Sequence, residues 1–230
     1  MYHYVDDKVF LKKAQTTCVE ILNDLTQELL NYGISSQFIL VGSGARNMVT
    51  QNANNPIDFD YNLCIQKYEN INDCRAIKET VWKVFNKELR DNNLSDSEDS
   101  TSSLTTKPIY FTDNPKMQFS MDICIIVTGN NGSWYRLIHE KTGYTSTDKY
   151  YWNEAPNLRQ IKEKADSIKE NGYWQKVREE YLKIKNLYLR KNAKHPSFVC
   201  YIEAVNNIYN SLMQKRIIQF GIYKISTKSS

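Results

Sequence analysis

Leu40-Val41-Gly42-Ser43-Gly44, then Asp58-Phe59-Asp60-Tyr61, and later Met121-Asp122-Ile123, are the stretches on which the fold of this chain turns. The first closes a short apolar run, Gln37 to Val41, that suits a buried strand. A strand ending in Gly-Ser-Gly and opening a helix leaves backbone N–H groups free at the helix N-terminus. Such an end holds phosphate, and glycine lets the ligand come close. Ile57 to Leu63 alternates strictly, which is strand period, with its apolar side chains on one face and Asp58 and Asp60 on the other. Two carboxylates so placed can serve one cation cluster, and Mg²⁺ prefers carboxylate oxygens completed by substrate phosphates. Asp122 interrupts the apolar run Phe119–Val127, where a carboxylate is costly to bury unless paired or metal-bound. On a neighbouring strand it would complete a three-carboxylate cluster for two Mg²⁺ ions, roughly 3.5–4 Å apart, that clamp the attacking and leaving oxygens of an in-line displacement. Taken singly, each piece also has an ordinary reading: a turn, an exposed strand face, an edge residue. The ordered combination is far more specific.

Outward from this centre, residues 8–31 carry Leu11, Ala14, Cys18, Ile21, Leu22, Leu25 and Leu29 on one helical stripe, with Asp6 and Asp7 at its start and Gly33 past its end. The spacing predicts a short helix over 45–51, turn chemistry over 52–56, and a second amphipathic helix over 71–89. Residues 91–106, rich in Ser, Asp, Asn and Thr, read as an exposed, mobile loop. Strands are expected over 109–112 and 119–128, and over 134–140 and 148–152 as a pair turning near Gly143. Helices are expected over 158–170, 174–192 and 197–219. The fold class is therefore α+β: a mixed sheet with flanking helices over residues 1–155, followed by a helical bundle over 156–230.

Composition narrows the function classes. A hydrophobic share of 41% is ample for a packed core and too high for a disordered chain. No run approaches ~18 consecutive apolar residues, so no membrane partner is expected, and residues 1–7 have neither a basic nor an apolar leader region. The five cysteines include no CxxC pair and the three histidines stand alone, which argues against a zinc site. The expected compartment is the reducing cytoplasm. Residues 1–130 hold 12 Lys+Arg against 17 Asp+Glu, a balance of −5; residues 131–230 hold 18 against 9, a balance of +9. That asymmetry suits metal binding in the first part and anion binding in the second, although solvated helix faces account for most single lysines.

The sequence resembles the polymerase-β-like nucleotidyltransferase superfamily, whose signature is a hydrophobic residue, Gly, then Gly or Ser, a short helix, an Asp-hydrophobic-Asp-hydrophobic strand, and a third acid on a later strand. Here these are Val41-Gly42-Ser43, Asp58-Phe59-Asp60-Tyr61 and Asp122, within residues 35–130. The interval from Ser43 to Asp58 is longer than usual, and Gly44 is an addition. The resemblance implies that Asp58 and Asp60 coordinate the ions carrying a nucleoside triphosphate. Asp122 would bind the second ion and help deprotonate the acceptor hydroxyl, and Gly42 and Ser43 would hold the β- and γ-phosphates. Arg46 is a candidate phosphate contact or a surface residue. The implied activity is Mg²⁺-dependent transfer of a nucleoside monophosphate from the triphosphate to a hydroxyl. The helical last third fits the accessory domain that often closes the cleft in this superfamily.

Three functional readings stay open: transfer to a small molecule such as an antibiotic, transfer to another nucleotide or an RNA, or a non-catalytic toxin–antitoxin or regulatory partner that uses the same fold for interaction. Lys183, Lys185, Arg190, Lys191 and Lys194 are a candidate surface for triphosphate or RNA, with a solvated face the plainer account. Tyr150, Tyr151 and Trp152 are candidates for base stacking, with hairpin packing the plainer account. His139 reads as structural. Oligomeric state is not written in any sequence feature.

Overall fold

The structure, a computed structural model, describes residues 1–193 and 195–226, the stretch 215–226 by backbone alone. Two compact units emerge: residues 4–156, and residues 1–3 together with 157–230. The chain begins with β1 (Tyr2–Tyr4), α1 (Lys8–Leu30), β2 (Ser35–Leu40), α2 (Gly42–Ala45), β3 (Thr50–Asn52) and β4 (Ile57–Lys67). It continues through α3 (Cys74–Asp91), β5 (Glu98–Asp99), β6 (Leu104–Thr105), β7 (Ile109–Phe111), β8 (Asn114–Thr128), β9 (Trp134–Glu140) and β10 (Lys149–Glu154). Three helices follow: α4 (Arg159–Glu170), α5 (Trp174–Arg190) and α6 (Ser197–Ser226).

The larger unit is built on a mixed sheet in the order β10-β9-β8-β4-β2. β4 and β8 run parallel and every other pairing is antiparallel. The long β8 also takes β7 and β6 along its edge, and β6 carries β5. Alternation on β4 sends Ile57, Phe59, Tyr61 and Leu63 into the core, and β8 contributes Phe119, Met121, Ile123 and Ile125 to the same face. α1 and α3 cover that face. Their starts are capped by aspartates: Asp7 accepts from the Phe10 N–H at 2.9 Å and Asp73 from the Ala76 N–H at 3.0 Å. Gly33, at φ +72°, ends α1 in a left-handed turn that lets the Ile34 N–H reach the Leu29 carbonyl at 3.0 Å.

Phe119 lies at the centre of an aromatic cluster, its ring 5.5 Å from Phe111, 6.1 Å from Phe10 and 6.2 Å from Phe59. In the smaller unit, Val177, Tyr181 and Ile184 of α5 are buried, as are Ala165 and Ile168 of α4 and Cys200, Ala204 and Val205 of α6. The Asn186 side chain accepts from the Tyr2 N–H at 2.7 Å and donates to the Tyr2 carbonyl at 3.0 Å, tying the first residues to this unit.

Two local expectations need correction. The short helix forms at 42–45 rather than 45–51: Asn47 takes φ +55°, and residues 50–52 extend as β3. Residues 91–106 are an exposed loop only in part. Residues 91–93, 95 and 96 are exposed, but the β5–β6 hairpin follows, with Leu104 buried on it and Ser97 and Thr106 buried at its two ends. Polar composition concealed this because the buried groups are hydrogen-bonded: the Asn86 side-chain oxygen Oδ1 accepts from both the Ser97 N–H (2.8 Å) and its hydroxyl (2.7 Å).

Phe119→Ala removes the side chain shared by three aromatic neighbours and is expected to cost about 3–5 kcal/mol. The check is a urea titration, in which the midpoint falls while the slope is kept.

Candidate active site

Parallel pairing of β4 with β8 places Asp60 directly beside Asp122, and Asp58 beside Ser120. Residues paired in this way share a face, so the three carboxylates lie together on the side of the sheet opposite the α1–α3 core. The Gly-Ser-Gly loop joins them. The Val41 N–H donates to the Asp60 carbonyl at 2.8 Å, which continues the β2–β4 ladder to the start of α2. Gly42 sits at φ +64°, and a Cβ there would lie 2.0 Å from Asp60 Oδ2. Glycine is therefore required twice over, by backbone conformation and by contact with the carboxylate. Gly44 is also confined, since its Cβ would meet Leu40 Cδ1 at 3.1 Å and Phe59 Cδ1 at 3.3 Å. Arg46 donates from its guanidinium to the Gly42 carbonyl at 2.7 Å, which braces the loop. Ser43 lends its carbonyl to the Met48 N–H at 2.9 Å, closing the turn.

Two hydroxyls beside the acids escaped the sequence reading. Ser120 donates to Asp58 Oδ1 at 2.5 Å, and Thr105 donates to Asp122 Oδ1. Ser120 was legible in principle, standing two residues before Asp122 on the same strand. Thr105 was not, because it belongs to a hairpin concealed in polar sequence. Each bond occupies one oxygen of its carboxylate and leaves Oδ2 of Asp58 and of Asp122 for another partner.

The electrostatics are those of crowded like charges. Burial pushes the Asp60 carboxyl up from its ordinary value to about 6, helped by Asp122 and Asp58 and opposed by Arg46 and Arg136. Burial also raises Asp122; the Thr105 hydroxyl opposes that rise and Asp58 adds to it. Among the described residues, no three His, Cys, Asp or Glu side chains form a ready-made metal cage. Mg²⁺ seldom uses one, relying on one or two carboxylates plus water and substrate phosphates. Asp60 and Asp122, each pushed up by burial and then by neighbouring negative charge, beside a loop stripped of side chain at Gly42, fit such an ion.

Other candidates fall elsewhere. His139 is buried between Asp99 and Asp148. Tyr150 stacks on His139 at 4.2 Å and Trp152 donates to the Ile71 carbonyl at 2.8 Å, so both serve packing, while Tyr151 is exposed. Lys185 is buried and donates to the Ser197 hydroxyl at 3.1 Å, and Lys183 pairs with Glu180 at 3.3 Å. Lys194 lies outside the described residues. No helix among the described residues is long and apolar enough to cross a membrane.

No family model and no curated protein matches the sequence. Solved structures do. E. coli CdnC with ATP superposes with a TM-score of 0.54 at 16% identity, covering 87% of this chain and 61% of that one. Vibrio cholerae DncV in its GTP-bound form gives 0.55 at 16%, covering 82% and 48%. The Elizabethkingia meningoseptica CdnE cyclic dinucleotide synthase with GTP and Apcpp gives 0.51 at 14%, covering 85% and 69%. The chain has the nucleotidyltransferase fold. It spans about half to three fifths of the length of the CdnC and DncV chains.

On this nucleotidyltransferase scaffold, Gly42→Ala drives a methyl group into Asp60 and is expected to displace the loop. The melting temperature falls as the methyl group and the Asp60 carboxylate compete for one space, as read by differential scanning fluorimetry.

The raised Asp60 carboxyl also sets a pH dependence. Its folded-state value lies above the ordinary one, so its contribution favours the fold most in acid, below about 4, and is lost as pH rises from 4 through 6. In EDTA at pH 7, Asp60→Asn is expected to raise the melting temperature by roughly 2–4 °C. The gain should shrink toward pH 4, as followed by differential scanning fluorimetry.

Proposed function

We propose that this protein is a Mg²⁺-dependent nucleotidyltransferase that moves a nucleoside monophosphate from a nucleoside triphosphate to the hydroxyl of a second nucleotide. The observation that carries this reading is Gly42 pressed against Asp60 while Asp60 lies beside Asp122 across the β4–β8 ladder. This joins a loop stripped of side chain to three acids on one face. The nucleotide acceptor is favoured because the structures sharing this fold include a cyclic dinucleotide synthase held with two nucleotides.

In this reading Asp58 and Asp60 hold the ion that carries the triphosphate, and Asp122 holds the second. Mg²⁺ bound there supplies charge neutralisation for the triphosphate and for the departing pyrophosphate. Gly42 and Ser43 receive the β- and γ-phosphates, with the loop braced by Arg46. Asp122 Oδ2, left open by the Thr105 bond to Oδ1, takes the proton of the acceptor hydroxyl. The attacking oxygen forms its bond to the α-phosphorus as the bond to pyrophosphate breaks.

The test is incubation with each of the four NTPs, singly and in pairs, with Mg²⁺, followed by pyrophosphate measurement and product mass. Pyrophosphate and a phosphodiester-linked nucleotide are expected. Asp58→Ala, Asp60→Ala and Asp122→Asn should each lose on the order of 100-fold or more while staying folded. A nucleotide found instead on an antibiotic, an RNA end or a protein from parallel acceptor panels reassigns the acceptor. Normal turnover in the Asp58 or Asp60 variant overturns the assignment of the acids.

A further inference from the structure

The β5–β6 hairpin reaches the sheet through only two paired positions, Leu104 opposite Ile123 and Thr105 opposite Asp122. Thr106 extends the contact: its N–H donates to the Met121 carbonyl at 3.0 Å and its hydroxyl accepts from the Met121 N–H at 2.9 Å. A strand this short does little to specify its own register, and a slip of one residue turns each side chain to the other face. Register here decides whether the Thr105 hydroxyl meets Asp122 at all.

At the other end of the hairpin lies a buried cluster of charge remote from the three acids in sequence. Asp99 on β5 is 5% exposed at its side chain and pairs with Lys78 of α3 at 3.0 Å and with His139 Nδ1 of β9 at 2.5 Å. His139 Nε2 meets Asp148 Oδ2 at 2.9 Å, so both ring nitrogens face carboxylates and the ring is held from two sides. Asp148 Oδ1 is in turn held by the Thr142 N–H at 2.8 Å, and the His139 ring stacks on Tyr150. Backbone is gripped as well. The His139 N–H donates to the Thr101 carbonyl at 2.7 Å, and Lys141 donates to the Asp99 carbonyl at 2.5 Å. Lys78 also reaches the Ser100 and Ser103 carbonyls at 3.5 and 3.4 Å. Buried ion pairs are poor sources of net stability, and their best-attested use is to fix register.

We propose that the Lys78–Asp99–His139–Asp148 cluster is a register lock for the β5–β6 hairpin, and that Thr105, set in place by it, is a positioning residue for Asp122. The inference rests on the reading of Asp122 as catalytic in its second half only; the lock itself stands on the hairpin geometry. Thr105 orients the carboxylate without touching substrate, and His139 acts at one further remove.

The test combines hydrogen exchange on the nucleotide-free protein with steady-state pyrophosphate release from the NTP that supports turnover. In His139→Gln, residues 98–106 should exchange faster while α1 keeps its protection. Asp148→Asn, a milder change for use if the first variant folds poorly, should act in the same direction. Thr105→Val should lower kcat about tenfold or more with nucleotide KM kept within twofold, and Thr105→Ser should restore it. The double variant Thr105→Val/His139→Gln should lose no more kcat than the more impaired single variant, because both remove one interaction.

Unchanged exchange over 98–106 in both His139→Gln and Asp148→Asn overturns the lock. Normal kcat in Thr105→Val, failure of serine to rescue, or multiplicative losses in the double variant overturn the positioning role. Asp122→Asn, measured alongside, separates the two layers. Normal turnover in that variant overturns the catalytic reading of Asp122, and with it the positioning role, whereas the exchange result still decides the lock.

Discussion

The parallel register of β4 on β8 is the constraint from which the rest of this molecule follows. With Ile57 beside Phe119, Phe59 beside Met121 and Tyr61 beside Ile123, the two strands present one apolar face to α1 and α3. The intervening residues are then obliged to share the opposite face, and those residues are Asp58, Ser120, Asp60 and Asp122. A displacement of one position would bury the acids in the aromatic cluster around Phe119 and expose the core. Hydrophobic burial thus holds together carboxylates that would otherwise repel one another, and the site is a by-product of core packing.

The cost of that arrangement is local. Asp60 is pushed to about 6 by burial and by its two neighbours, and Gly42 is held in a left-handed conformation against its carboxylate. Neither feature stabilises the empty protein. In the proposed function both are offset when a cation and a triphosphate bind together, since the acids then gain a counter-charge. Stability given up at a binding surface in this way is a common trade in enzymes.

Much of this was legible in the sequence because it is periodic. The strict alternation of Ile57 to Leu63 showed the facing of Asp58 and Asp60, and Asp122 stood out by breaking an apolar run. The stripe from Leu11 to Leu29, with Asp6 and Asp7 before it, and the helical spacing over 71–89 marked the helices that cover the core. What stayed hidden lacks period. A two-residue strand such as Leu104–Thr105 carries no alternation, and its neighbours Ser97, Asp99 and Thr106 look solvated although they are buried. Their partners, Asn86, Lys78, His139 and Met121, are distant in sequence, so polarity there misreports exposure. The short helix was misplaced for a related reason. Residues 45–51 follow a glycine-rich break where a helix can open, but the positive φ of Asn47 ends the turn that began at Gly42.

Asp122 shows how these two kinds of information meet. On one edge of β8 its neighbour is Asp60, a like charge fixed by core packing; on the other it is Thr105, a donor fixed by the buried cluster around Asp99 and His139. Repulsion from one side and a hydrogen bond from the other act on the same carboxylate, and burial raises it while the threonine hydroxyl opposes that rise. The hydrophobic core therefore determines where the third acid stands. The polar hairpin determines which of its oxygens is engaged and which is left open, so a segment that resembles a disposable loop has a part in the electrostatics of the site.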